Sequence, residues 1–216
     1  PKTLGVPKTE EQIAEIQRQL LPSAVPEIPS LEIMTSYEVF DRAGGDAYDF
    51  IPFDNGAWGI LVSDAAGHGP AAAVVMAMMH AIVHSYPHAP KTACEVMAHA
   101  NHQLSRKQLP SSFCTALFAL WYPEERSFRY ARAGHPPPLL KRPGSGGAVE
   151  RLDAVGSIPL GIDTDVDFVE ARVTLAPGET IVLYTDGITE ALDPSGAMYG
   201  MSGIETALRA CSGEPG

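Results

Sequence analysis

Three segments of the chain place an aspartate beside glycine, each next to an apolar run that is typical of a buried strand. They contain Gly44-Gly45-Asp46, Asp64-Ala65-Ala66-Gly67 and Asp186-Gly187. A buried carboxylate is costly unless it is paired or metal-bound, and neither Asp64 nor Asp186 has a lysine or arginine beside it. Hard divalent cations prefer carboxylate and carbonyl oxygens, and two cations sharing a carboxylate can activate a water. The segments together favour an acidic metal site, although each alone is also typical of a turn or bulge.

Other phosphatase and hydrolase chemistries find less support in the sequence. A cysteine phosphatase needs an arginine six positions after its cysteine, but Cys94 is followed there by Ala100 and Cys114 by Leu120. Neither a G-x-S-x-G motif nor a Walker-type phosphate loop occurs. The sequence therefore lacks the motifs that these three classes of enzyme require.

Histidines recur on the helices that are predicted after Asp64. His80 and His84, and His84 and His88, are four residues apart, a spacing that places side chains on one helical face. Pro87 ends the predicted helix before His88. A zinc site at these histidines is kept only as a minor alternative.

Hydrophobic periodicity predicts the elements that must position the acidic residues. Thr9–Leu21 is an amphipathic helix followed by a proline-rich linker, and it either packs on its own domain or connects to an upstream module. Further elements are strands at Leu31–Phe40, Tyr48–Phe53 and Trp58–Ser63, helices at Gly69–Tyr86 and Lys91–Gln108, strands between Phe113 and Thr185, and helical segments after Gly187 and near Ser202. This order is not a regular βαβ alternation and favours an α+β fold.

The composition of the chain limits the classes of protein to which it can belong. Of the 216 residues, 45% are hydrophobic and 19% charged, which predicts one folded domain with a short appendage. The net charge of −11 argues against nucleic-acid or anionic-membrane partners. Three cysteines without a C-x-x-C motif indicate buried thiols and a cytoplasmic location. The polar start indicates no signal peptide, and the apolar run at 71–83 is too short to span a membrane.

Eight motifs, in order along the chain, resemble those of the PPM (PP2C-like) metal-dependent Ser/Thr phosphatases, most closely the bacterial SpoIIE and RsbU branch. One such motif is weak evidence, but eight in order are highly specific, and they span nearly the whole chain. They are QRQLLP from Gln17, GGDAYDF from Gly44, DAAGHG from Asp64, FCT from Phe113, AGHPP from Ala133, PLG from Pro159, PGE from Pro177 and YTDGITEA from Tyr184.

The resemblance implies an αββα sandwich of two antiparallel sheets flanked by helices. It also implies two Mn²⁺ or Mg²⁺ ions in a cleft at one edge of the sandwich. Asp64 would bridge both ions, the Ala65 carbonyl would bind one, and Asp46 and Asp186 would complete the ligand set. A water between the ions would attack phosphorus directly, without a phosphoenzyme.

Two further residues are candidates for contact with the substrate phosphate. Arg42 lies four residues before Asp46 and would meet a phosphate, with an exposed strand-end arginine as the alternative. His135 lies in a loop that is near the site in the family and is a candidate general acid.

The resemblance also implies a biological setting. The substrate would be phosphoserine or phosphothreonine on a STAS-type anti-sigma-factor antagonist. An upstream sensor in the parent protein would act through the helix pair Gly69–Gln108, and the Thr9–Leu21 helix leaves a homodimer open.

One departure from the family affects the expected boundaries. Family members usually end in a strand with an Asp-Asp pair that supplies another metal ligand, and no such pair follows Asp193. We therefore expect an N-terminal helix and linker at residues 1–28 and a C-terminally incomplete phosphatase domain at residues 29–216. The alternative is a catalytically weak, phosphatase-like binding or signalling module. Retention of Asp46, Asp64 and Asp186 favours the enzyme.

Overall fold

A computed structural model of the chain describes residues 9–38, 44–106, 113–143 and 148–211. Within these ranges the helices and strands are grouped in an α+β order rather than alternating. The helices are α1 (Thr9–Leu20), α2 (Pro70–His84), α3 (Ala93–Ser105), α4 (Asp186–Glu190) and α5 (Gly200–Ala210). The strands are β1 (Asp46–Pro52), β2 (Trp58–Ala65), β3 (Cys114–Tyr122), β4 (Ser127–Ala133), β5 (Leu139–Lys141), β6 (Val149–Arg151), β7 (Ala171–Thr174) and β8 (Thr180–Val182).

The strands form two antiparallel sheets that pack between helices. The larger sheet has the order β1-β2-β3-β4-β7 and the smaller has the order β6-β5-β8. Helices α2 and α3 cover the outer face of the larger sheet, and α5 packs on the smaller sheet through Ile204 and Leu139. The αββα, α+β architecture expected from the sequence is thereby confirmed.

Strand β3 occupies the centre of the larger sheet and is buried on both faces. Ala116, Phe118 and Leu120 belong to the core beneath α2 and α3. Leu117 and Trp121 belong to the core between the two sheets. Because helices cover one face and a second sheet the other, this strand is almost continuously apolar rather than alternating.

The helix boundaries follow local capping chemistry. Pro70 stands at the first turn of α2, where its missing N–H costs nothing. The Thr92 hydroxyl caps α3 by accepting from the Glu95 amide at 3.3 Å.

Helix α1 packs on α2 through Ala14 and Ala73. The N-terminal helix therefore contacts its own domain, as one of the two sequence interpretations expected.

The strand predicted at Leu31–Phe40 is wrong over its described part, since residues 31–38 pair with no strand. Leu31 and Ile33 nevertheless pack against the core between the sheets. The indole N–H of Trp121 donates to the Pro29 carbonyl at 3.1 Å. Side-chain contacts hold this segment in place without a ladder of backbone hydrogen bonds.

The three cysteines are free, and they differ in burial. Cys114 is buried and Cys94 half-buried, but Cys211 is exposed, so the expectation of three buried thiols is wrong for Cys211.

In the described part of the chain, no helix is both long and apolar enough to cross a membrane.

Candidate metal centre

Asp46 and Asp64 face each other across the first two strands. In the antiparallel β1–β2 register Asp46 is paired with Asp64, and partners of this kind project from the same face of a sheet. Their carboxyl groups are hydrogen-bonded to each other. The hairpin thus brings together two of the four predicted metal ligands.

Ala65, the third predicted ligand residue, is fully buried at the end of β2. Its amide donates to the Gly45 carbonyl at 3.0 Å. A Cβ atom at position 45 would lie 2.2 Å from the Ala65 carbonyl oxygen and 2.7 Å from Asp64 Oδ1. Glycine at 45 is therefore required for the backbone to pass so close to the oxygens of the centre.

Asp186 approaches the same place from the other end of the chain. It begins α4, whose N-cap residue Thr185 has an extended backbone. The Thr185 hydroxyl donates to Asp46 Oδ2 at 3.1 Å. The next residue, Gly187, lies so near that a Cβ there would be 3.9 Å from Asp46 Oδ2, and the charge of Asp186 adds to burial in raising the pKa values of Asp46 and Asp64.

Among the described residues, burial and like charges dominate the electrostatics of the acidic centre. Burial is the largest cause of the raised pKa of Asp64, which reaches about 7, and the charges of Asp46, Asp186 and Glu190 add to it. Burial is also the main reason that the pKa of Asp46 is raised. Within the described ranges, no lysine or arginine offsets these shifts. Clustered hard oxygens without a counter-cation fit a divalent ion such as Mn²⁺ or Mg²⁺.

His135, the predicted general acid, adjoins this cluster through one threonine. Thr115 is the β3 partner of Asp64, and its Oγ1 is hydrogen-bonded to His135 Nδ1 at 2.9 Å. His135 is only 2% exposed, and burial together with the Arg132 charge lowers its pKa to about 4. The other predicted phosphate contact, Arg42, lies outside the described residues.

Three contributors to the centre were not singled out by sequence reasoning. Thr185 orients Asp46, Thr115 links Asp64 to His135, and Glu190 adds negative charge. All three lie inside motifs quoted above, Thr115 in FCT and the other two in YTDGITEA. The motifs were the available signal, but assigning a role to each position needed the three-dimensional contacts.

Two antiparallel sheets between helices, with a cluster of carboxylates at the ends of their strands, define the class of PP2C-like domains. The chain belongs to the SpoIIE family: the family model described as Stage II sporulation protein E (SpoIIE) matches residues 54–216. The resemblance drawn from the eight motifs is thereby confirmed. The PP2C/SpoIIE family is metal-dependent.

Individual relatives agree with this assignment. Phosphoserine phosphatase RsbU of Bacillus subtilis is 30% identical over 190 residues, covering 88% of this chain and 56% of RsbU. The SiaA-PP2C domain of Pseudomonas aeruginosa superposes with a TM-score of 0.72 at 22% identity, covering 94% of this chain and 80% of that one. The RsbU and RsbW domains of Rv1364c from Mycobacterium tuberculosis give a TM-score of 0.62 at 28% identity, covering 78% and 44%. The chain spans 36% to 56% of the length of the curated relatives it matches.

Proposed function

We propose that this chain is a metal-dependent protein Ser/Thr phosphatase. The observation that carries the proposal is the Asp46–Asp64 carboxyl pair, which β1 and β2 hold face to face with Asp186 beside it. Membership of the SpoIIE family supports the proposal. So do the names of two Bacillus subtilis relatives, since RsbU and RsbP are both phosphoserine phosphatases.

Four residues would hold two Mn²⁺ or Mg²⁺ ions. Asp64 is the cross-strand partner of Asp46 and the chain neighbour of Ala65, and by the family resemblance it is the candidate bridging ligand. The Ala65 carbonyl, Asp46 and Asp186 would supply the remaining protein oxygens. When bound, the ions would activate a water for direct attack on phosphorus and would neutralise charge on the phosphoryl oxygens.

The protein's own groups would keep these ligands in place. The Thr185 hydroxyl fixes one oxygen of Asp46, and Gly45 allows close backbone approach. The neutral, buried His135 would position Thr115 beside Asp64 rather than deliver a proton, because a group with a pKa of about 4 holds little proton at pH 7. Arg42 stays a predicted phosphate contact.

The substrate would be phosphoserine or phosphothreonine on a STAS-type anti-sigma-factor antagonist. The support is the likeness to RsbU and to the joined RsbU and RsbW domains of the mycobacterial protein. In the same setting, residues 1–28 would connect a sensor to the phosphatase domain at residues 29–216, in a cytoplasmic protein whose homodimer stays a prediction.

The test is phosphate release from an aryl phosphate and from a phosphoserine peptide during titration with MnCl₂ or MgCl₂. Asp64→Asn should abolish metal-dependent turnover, whereas Asp54→Asn should not. Asp54 makes a matched control because it is exposed at the turn, at the opposite end of the same hairpin. Absence of turnover by the folded chain at saturating metal would favour the phosphatase-like binding module instead.

A further inference from the structure

A second cluster of metal-binding groups lies on the helix side of the larger sheet. It consists of Asp49 from β1 and of His80 and His84 from consecutive turns of α2, and we call it the helix-face cluster. One ligand atom from each residue lies within 4.8 Å of the others. Neither the acidic centre nor the proposed phosphatase reaction uses these residues.

The helix-face cluster is separate from the acidic centre. Asp46 and Asp49 are three residues apart on one strand, so their side chains project from opposite faces of the sheet. Asp49 pairs with Leu61, which belongs to the core beneath α2 and α3. The pair Asp46 and Asp64 faces the smaller sheet, on the side of Ile60 and Leu117. An ion at one cluster would therefore not share ligands with an ion at the other.

The donor atoms of the cluster converge on one point. Asp49 Oδ2 lies 2.6 Å from His84 Nε2 and 3.4 Å from His80 Nε2. The two imidazole centroids are 4.3 Å apart. Ligand atoms at about 2.0–2.2 Å from a tetrahedral Zn²⁺ lie a little over 3 Å from one another, so only small side-chain movements separate this arrangement from a coordinated one.

The surroundings of Asp49 already orient the carboxylate for such a role. Its Oδ1 accepts from the Phe50 amide at 2.7 Å, which leaves Oδ2 directed at both imidazoles. An outer hydrogen bond of this kind commonly fixes a metal-binding carboxylate. The Asp49 side chain is 11% exposed, but those of His80 and His84 are 27% and 42% exposed. An ion could therefore enter from solvent and keep a water as its fourth ligand.

We propose that Asp49, His80 and His84 form a binding site for a borderline divalent transition metal of the Zn²⁺ class. Two imidazole nitrogens and one carboxylate oxygen suit Zn²⁺, whereas Mg²⁺ and Mn²⁺ prefer the all-oxygen acidic centre. The sequence alone showed only the i,i+4 spacing of the histidines, and a zinc site there was a minor alternative. The fold adds Asp49, 31 residues before His80 in the chain, as the third ligand.

The experiment is calorimetric titration of the metal-free chain with ZnCl₂, in an Asp64→Asn/Asp186→Asn background that weakens the acidic centre. One equivalent of Zn²⁺ should bind, and Co²⁺ at the same site should give the visible absorption of a low-coordinate nitrogen- and oxygen-ligated ion. His80→Gln and His84→Gln should each weaken Zn²⁺ binding by at least ~10–100-fold, the loss typical even of outer-shell changes. His102→Gln, at an exposed histidine of α3, should leave binding unchanged.

A wild-type measurement covers the case in which the histidine variants fold poorly. X-ray absorption of the Zn²⁺-loaded chain should report two imidazole ligands, and the remaining ligand atoms should be nitrogen or oxygen rather than sulfur. Equal Zn²⁺ affinity in the His84→Gln and His102→Gln variants would overturn the proposal. So would a zinc spectrum without imidazole, and in either case Asp49 and His84 would form only a hydrogen-bonded pair. None of these readouts depends on turnover, so a failure of the zinc proposal can be distinguished from a failure of the proposed phosphatase function.

Discussion

His135 Nδ1 is hydrogen-bonded to Thr115 Oγ1 at 2.9 Å, and Thr115 is the cross-strand partner of Asp64. The loop that carries His135 is therefore linked to the acidic centre through a single threonine. Arg132 holds the same loop by donating to the backbone carbonyl oxygens of His135 and Val155. These contacts fix the ring against the sheet, which suits a residue that positions its neighbours.

The buried neutral His135 makes stability depend on pH. Its pKa is about 4 in the folded chain against an ordinary 6.5, so the unfolded chain binds a proton between these values and the folded chain does not. The contribution of His135 is thus complete above pH 6.5 and is lost as the pH falls towards 4, by about 3 kcal/mol in all. Urea denaturation at several pH values should show this slope in the wild type and a shallower one in His135→Gln. Identical slopes would contradict the assignment.

Asp64 should have the opposite effect when no metal is bound. Its pKa is raised from 3.8 to about 7, chiefly by burial and then by Asp46 and Asp186. Between these values the folded chain binds a proton that the unfolded chain does not, so stability falls as the pH rises and levels off above 7. In EDTA at pH 8, Asp64→Asn should therefore raise the melting temperature.

Metal addition should reverse that order. At the proposed metal site Mn²⁺ would bind the folded chain through the deprotonated carboxylates, so it should raise the melting temperature of the wild type. The Asp64→Asn chain should respond weakly, and Asp54→Asn should behave as the wild type. An equal Mn²⁺ response in the wild type and in Asp64→Asn would place the metal elsewhere.

The acidic centre was largely predictable because its geometry is local. The predicted strands Tyr48–Phe53 and Trp58–Ser63 are separated by only four residues, 54–57, and an antiparallel hairpin centred there pairs Asp46 with Asp64. Asp186 joins them through chain packing, which the shared pattern of aspartate and glycine and the family motifs indicated but hairpin geometry could not. The contact from Asp49 to His84 was not predictable in this way, because it links β1 to α2 across 35 residues.

The failed strand prediction has a related cause. Leu31 and Ile33 show the alternation of a strand, and both are partly buried as that pattern predicts. Alternation reports burial on one side, but a strand also needs a neighbouring edge for its backbone groups. Conversely β1 begins at Asp46, two residues before the predicted Tyr48, because pairing with β2 extends it across residues of low strand propensity.

Gly45→Ala should disrupt the centre without removing a ligand. The new Cβ would lie 2.2 Å from the Ala65 carbonyl oxygen, and backbone cannot move aside as a flexible side chain can. We expect a loss of ~1–3 kcal/mol in unfolding free energy, as for other overpacked sites, together with weaker Mn²⁺ binding.

The matched control for that change is Gly187→Ala. A Cβ at 187 would meet only the Thr185 and Asp46 side chains at 3.8 and 3.9 Å, which is ordinary contact. Position 187 lies in α4, where alanine is the better helix former. Denaturation and Mn²⁺ titration of both variants should separate them, and equal stability of Gly45→Ala and Gly187→Ala would refute the close approach.

Gln17→Ala should lower the stability and the metal affinity of the acidic centre, although Gln17 is not one of its candidate ligands. The Gln17 amide of α1 donates to the Gly44 carbonyl at 2.6 Å and accepts from the Gly44 amide at 3.2 Å. Gly44 is two residues before Asp46, so this pair of hydrogen bonds fixes the backbone that delivers the carboxylate. Gln17 is only 4% exposed, so its loss leaves part-buried backbone groups without a partner, at a cost of ~1–3 kcal/mol.

Gln19→Ala, an exposed position on the same helix, is the control for helix propensity. In Gln17→Ala both the unfolding free energy and the Mn²⁺ affinity should fall, whereas Gln19→Ala should change neither appreciably. A Gln17→Ala chain that loses stability but binds Mn²⁺ normally would mean that α1 supports only the fold. A parallel loss of both would mean that the N-terminal helix also holds Asp46 in place for the metal.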